Sequence, residues 1–262
     1  MFEAFLLFAG GLFAGMLGGL LGIGGGIVLM PLLRFGVGLS PAHAAGTCIL
    51  AVFFTTLGGS YRHYRLGHIQ DGAMIPIVIA GAIATILFSL LFQRLATREH
   101  WLDLGIGIVF ALVALRMIAE GIHRFPRQSR DESTHHEIKG TLFQKVTIGG
   151  LAGLLPGLLG IGTGVILVPA FNLLLDVSIK VAVACSLVCF CFNAFISSAF
   201  KFAQGFIVVD VALPICLGTL IGANLGAILN KRFASNVVRL LFGLMFAFIS
   251  LKFILSSLRV SA

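Results

Sequence analysis

Charge is what this 262-residue sequence has least of: Asp, Glu, Lys and Arg make up 11% of it, against 58% hydrophobic residues. A soluble domain carries about 25% charged residues. Too few charges remain to cover a water-facing surface, which excludes a soluble globular protein and leaves a polytopic membrane protein. The mean hydropathy of +1.07 agrees. Carboxylates number only ten, and none falls in the middle of a hydrophobic segment, so the sequence lacks the usual mark of an intramembrane cation site or proton relay. The five cysteines, Cys48, Cys185, Cys189, Cys191 and Cys216, lie in apolar stretches without zinc-site spacing. They read as packing residues, with no metal and no disulfide. The N-terminus carries Glu3 and no basic lead-in, so the first apolar stretch is expected to be retained, not cleaved. The net charge of +8 is spread as 18 Lys and Arg over short loops, which suits membrane orientation and not a nucleic-acid face.

What the chain has in excess is glycine, 33 residues, arranged in a duplication. Residues 11–31 read GLFAGMLGGLLGIGGGIVLMP and residues 149–169 read GGLAGLLPGLLGIGTGVILVP, identical at 13 of 21 positions at an offset of 138. The same offset pairs Ser40 with Ser178, Ala44 with Ala182, Gly67 with Gly205, Pro76 with Pro214 and Phe110 with Phe248. The chain therefore reads as two homologous transmembrane repeats, 1–120 and 141–262, joined by a polar linker over 121–140. Sorting the basic residues by side puts that linker on the cytoplasmic face.

Charges divide each repeat into four hydrophobic segments, at 4–33, 40–62, 72–93 and 101–119, then 146–175, 179–202, 211–230 and 237–257. The predicted fold class is all-α. A straight helix over 4–33 or 146–175 would be about 45 Å long, against a hydrocarbon core of about 30 Å. Each also carries interior glycines, at 22–26 and 160–164. A broken or re-entrant helix explains both facts. If the first segment turns back, each half crosses an odd number of times and the halves are inverted; paired broken helices favour that arrangement.

Gly22-Ile-Gly24-Gly25-Gly26 and Gly160-Ile-Gly162-Thr163-Gly164 are each followed by a proline, Pro31 and Pro169. No Gly-Lys-[Ser/Thr] follows, and Ile27 and Val165 stand where a dinucleotide fingerprint needs glycine, so ATP-driven and nucleotide chemistry find no support. A break can instead start a new helix whose free N–H groups favour an anion. The alternative is that the glycines only permit close packing.

The duplicated G-x-G-G-G-x4-P pattern, with Gly46-Thr47-Cys48 and Gly67-His-Ile-Gln-Asp71, resembles the sulfite exporter TauE/SafE family, also described as the toluene sulfonate uptake permease family. The resemblance spans nearly the whole chain and implies a secondary transporter of small sulfur oxyanions such as sulfite or organosulfonates. The second half departs from the pattern at Thr163 and at Cys185-Ser186, which stand opposite Gly25 and Thr47-Cys48.

Side chains that could complete an oxyanion pocket come from the second segment of each half. Cys48 and Thr55 share a helical face, as do Ser186 and Asn193, with Thr47 on a neighbouring face. Such groups donate hydrogen bonds without a buried charge; they also serve simply to bond helix to helix. His63 and Lys201 occupy one repeat position near a segment end, where a basic residue is either functional or snorkels to the headgroups. Asp71 and Asp210 open the third segments and suit helix caps. The expected site comprises the backbone of Gly24, Gly25, Gly26, Gly162, Thr163 and Gly164 with Thr47, Cys48, Thr55, Ser186, Asn193, His63 and Lys201. The expected protein is a permease of the cytoplasmic membrane, not an enzyme, since Ser186 has no His in its half. It needs no cofactor and no nucleic acid; its partners are a small sulfur oxyanion and lipid, and a coupling ion and homo-oligomerisation stay open.

Overall fold

The computed structural model describes residues 2–21, 24–65, 71–122, 141–175, 177, 179–229 and 236–260. Gly22 and Ile23, residues 123–140 of the polar linker, Gly67, Ser178 and the side chain of Asp71 lie outside the described residues. All regular structure among those described is helical: α1 (Phe2–Leu21), α2 (Gly26–Pro31), α3 (Pro41–Arg65), α4 (Asp71–Leu95), α5 (Glu99–Ile122), α6 (Leu142–Leu154), α7 (Gly164–Pro169), α8 (Ile179–Ala203), α9 (Val209–Leu229) and α10 (Asn236–Val260). Among the described residues seven helices are long and apolar enough to cross a membrane.

Local sequence accounts for the unusual elements. Pro31 and Pro169, at matching repeat positions, each end an α-helical turn and lead into a π-wound one, Leu32–Gly36 and Ala170–Leu174. Proline has no N–H to give the ladder and its ring crowds the preceding turn, and a wider turn absorbs both. Pro156 sits in a third such turn, Leu155–Leu159, which extends α6. α6 starts on a reciprocal cap: Gln144 N donates to Thr141 Oγ1 (3.3 Å) and Thr141 N donates to Gln144 Oε1 (3.0 Å).

The first 30-residue segment does turn back. Gly18 packs on Gly25, and a Cβ on Gly10 would lie 2.7 Å from Leu32 Cδ2. Residues 26–36 therefore retrace α1 as a re-entrant hairpin, which is how so long a segment fits the hydrocarbon core. In the second half α7 likewise packs against α6.

The helices pack as two compact units. One holds α1–α4 and α6–α9, the other α5 and α10, so each draws helices from both chain halves. In the larger unit, glycine stripes let backbones touch. Gly11, Gly15 and Gly19 of α1 meet Ile215, Thr219 and Ala223 of α9, while Gly149, Gly153 and Gly157 of α6 meet Ile77, Gly81 and Thr85 of α4. These two sets of contacts are the same set displaced by 138 residues. Because numbers rise together, α1 runs parallel to α9, and α6 to α4. α8 runs parallel to α4, with Asn193 at Gly81 and Gln204 Nε2 donating to Ser89 O (3.1 Å). α3 runs against α8: Phe53 meets Phe195, while Gly59 meets Leu187. α3 and α8 form the centre and are mostly buried, whereas α1 and α4 are mostly exposed.

In the smaller unit, α5 and α10 are antiparallel, with Gly107 facing Ile254 and Gly243 facing Ile118. Phe110 stacks on Phe253 (5.6 Å) and meets Phe246 edge-on (5.8 Å). Ser250 Oγ donates to Gly107 O (2.8 Å) and Ser257 Oγ to His100 O (2.8 Å), the polar cross-links by which membrane helices associate.

Candidate anion site at paired glycine turns

Each re-entrant segment breaks at its glycines inside the larger unit. Gly24 and Gly25 take φ of 76° and 71°, and Gly160 takes 67°, left-handed values that glycine adopts without penalty. Space is equally restrictive at Gly160, where a Cβ would collide with the carbonyl of Ala45 in α3. Thr163, the repeat counterpart of Gly25, has φ −91°, which is why a side chain is accepted there. The two turns are therefore related in sequence but not identical in backbone.

After each break a new helix begins. Gly25 O accepts from Val28 N (3.0 Å) and Leu29 N (3.1 Å), and Thr163 O accepts from Ile166 N and Leu167 N (2.9 Å each). The amides of Gly26, Ile27, Gly164 and Val165 precede these first bonds, where a helix has no acceptor of its own for its N–H groups. With the π-wound turns that follow directly, these helices run from Gly26 to Gly36 and from Gly164 to Leu174.

The two breaks meet. A Cβ on Gly26 would lie 2.9 Å from Gly162 N and 2.9 Å from Val52 Cγ2. Two helix N-termini thus converge within one unit, each carrying about half a positive charge. Like ends brought together in an apolar interior repel, and an anion between them removes the repulsion. Among the described buried side chains of this unit there is no carboxylate to do so.

The surrounding side chains divide into those at the turns and those engaged elsewhere. Cys48 is buried, and its thiol donates to Gly26 O (3.6 Å), which places it at the junction. Thr163 is fully buried and its Oγ1 has no hydrogen-bond partner. Phe190 of α8 lies over Gly24, so the turns are walled by ring and Val52. Thr55 Oγ1 donates to Ala51 O (3.0 Å) and Ser186 Oγ to Val183 O (2.9 Å), bonds within their own helices. Thr47 Oγ1 accepts from Val208 N (3.2 Å), tying α3 to the start of α9. Asn193 is buried against Gly81 of α4, its Oδ1 without a partner.

His63 is buried at 4% exposure, and Lys201 is fully buried. Lys201 therefore does not snorkel. Its Nζ donates to Pro156 O (2.9 Å), Gly157 O (2.8 Å) and Ser197 Oγ (3.0 Å), and lies 4.3 Å from the centre of the Phe92 ring. Ser197 Oγ itself donates to Pro156 O (2.6 Å). Sequence reasoning alone misses Ser197 and Phe92; the only signal for Ser197 is its place one helical turn before Lys201. Among the described residues no three His, Cys, Asp or Glu side chains gather as metal ligands would.

Comparison with known proteins finds relatives named as membrane transporters. The chain is 27% identical over 253 residues to the probable membrane transporter protein YunE of Bacillus subtilis, covering 87% of this chain and 89% of that one. It is 26% identical over 250 residues to a probable membrane transporter protein of Methanocaldococcus jannaschii, covering 90% of each. It is 32% identical over 113 residues to sulfite exporter TauE/SafE family protein 2 of Arabidopsis thaliana, covering 42% of this chain and 24% of that one. No solved structure matches. Residues 7–253 match the family model described as sulfite exporter TauE/SafE, and the chain belongs to that family of membrane transporters.

Proposed function

We propose that this chain is a secondary transporter of small sulfur-containing oxyanions, such as sulfite or organosulfonates, across the cytoplasmic membrane. The observation that carries the reading is the approach of Gly26 to Gly162, which brings two helix N-termini together beside a buried, unpartnered Thr163 hydroxyl. Backbone amides at 24–26 and 162–164 hold the anion, and Thr163 donates a hydrogen bond to it. Cys48 lines the junction, and Ser186, Asn193 and Thr55 lie on the helices that frame it. No permanent charge touches the anion directly, which keeps binding weak enough for release.

The antiparallel arrangement of counterparts supports an alternating-access reading. α3 runs against α8, and the contacts of α1 with α9 repeat as those of α6 with α4. We read this as an inverted repeat, in which the two halves exchange conformations and expose the junction alternately. The reading is tested by uptake into proteoliposomes of radiolabelled sulfite, sulfate, thiosulfate, methanesulfonate and chloride. Saturable flux of at least one sulfur oxyanion, competed by the others, is expected. Saturable chloride flux with none of the sulfur oxyanions would assign the junction to another anion.

A further inference from the structure

A broken helix creates two ends, and only one of them attracts an anion. The amides that open α7 carry partial positive charge, but the carbonyls that close the π-wound end of α6 carry partial negative charge a few residues earlier. An anion at the break would feel both. Lys201 sits on the repelling end: Pro156 O and Gly157 O are the carbonyls left without helical donors by the break at Gly160, and Lys201 Nζ bonds both.

The bonding geometry suits the charged form. An ammonium has three donors, and three oxygens surround this one at 2.8–3.0 Å. Ser197 Oγ already spends its proton on Pro156 O, so towards Lys201 it can only accept. The Phe92 ring face adds a cation–π contact from α4. Lys201 is completely buried, its partners are all neutral, and no carboxylate is buried among the described side chains of its unit.

We propose that Lys201 selects the sign of the cargo. It is a positioning residue: its full positive charge outweighs the half-charge of the α6 end, so the break as a whole is positive and admits anions alone. This rests on the anion-transport reading above. Ser197 and Phe92 hold the ammonium on the carbonyls, away from the anion itself, so attraction is felt without a direct ion pair. The first half has His63, also buried, at the corresponding position.

A merely structural lysine, capping two carbonyls, would affect all substrates alike; a charge would not. The test compares thiosulfate, with two negative charges, and methanesulfonate, with one, as KM for uptake or as Ki against whichever anion is carried. Lys201→Gln keeps a hydrogen-bond donor and removes the charge. The thiosulfate constant is expected to rise about tenfold more than the methanesulfonate constant, the order expected when one unit charge near the anion is removed from a protein interior. Lys201→Arg is expected to restore the wild-type ratio. Equal increases for both anions in Lys201→Gln would overturn the proposal. So would neutral variants that fail to insert while Lys201→Arg inserts, since the charge would then serve folding. A wild-type protein that carries and binds no sulfur oxyanion brings down the transport reading itself, whereas one that carries sulfite but binds neither test anion overturns this proposal alone.

Discussion

Gly26 and Gly162, 136 residues apart in sequence, approach so closely that a methyl group on the first would press on the amide nitrogen of the second at 2.9 Å. This contact joins the two re-entrant hairpins and places the start of one short helix against the start of the other. A methyl group there would occupy the space where the anion is proposed to sit. Gly26→Ala is expected to weaken transport about 5- to 150-fold, corresponding to about 1–3 kcal/mol of overpacking. Initial uptake rates at equal reconstituted protein check it.

Thr163 separates function from stability. Its hydroxyl is buried without a partner, so Thr163→Val removes an unsatisfied group while keeping the shape. Melting of the detergent-solubilised protein without added anion is expected to be unchanged, or raised by up to about 1 kcal/mol equivalent. Added sulfite should stabilise the wild type more than the variant. A variant that melts substantially lower without anion would show that the hydroxyl has a structural partner.

Space around the Cβ position, not backbone conformation, distinguishes the glycine turns from ordinary loop glycines. Gly38 and Gly25 both have left-handed φ, at 81° and 71°, but a Cβ on Gly38 meets nothing within 4 Å whereas one on Gly25 lies 2.7 Å from Ala14 O. Gly38→Ala should cost about 1–2 kcal/mol, the price of the conformation alone. Gly25→Ala should cost at least about twice as much, read as a larger loss of thermal stability.

Within α6, neighbouring glycines should respond with opposite sign. Gly150 has open space around it, and Gly150→Ala is expected to stabilise by about 0.5–1 kcal/mol through helix propensity. Gly153 lies against the carbonyl of Gly81 and 2.7 Å, at its Cβ position, from Ala84 Cβ. Gly153→Ala should destabilise by about 1–3 kcal/mol by prising α6 from α4. Thermal melting of the two variants side by side gives the answer.

These contrasts show where a linear sequence stops being informative. The two breaks are legible because 30 uncharged residues exceed a bilayer and because glycines cluster inside both segments. Whether such a segment turns back is not legible from loop charges, which are nearly balanced between the two topologies; it needs the contact of Gly10 with Leu32. Glycine stripes at 11, 15 and 19 announce a close-packed face without naming its partner, which proves to be α9 of the other half. Lys201 is the clearest case. Near a segment end it reads first as a residue that snorkels to the headgroups, and only the tertiary placement of Pro156 and Gly157 draws it inside. Thr47, Thr55 and Ser186 share the expected faces, yet their hydrogen bonds go to backbone, a competition that spacing alone does not resolve.

The central claim is that the paired glycine turns hold a sulfur oxyanion during transport. Radiolabelled sulfite uptake by proteoliposomes containing either the wild type or Thr163→Val tests it most directly. The expected result is saturable uptake by the wild type, with a KM raised about tenfold in the variant, the worth of one hydrogen bond to a charged group. Saturable sulfite uptake with the same KM in both proteins would contradict the claim, because the anion would then bind elsewhere.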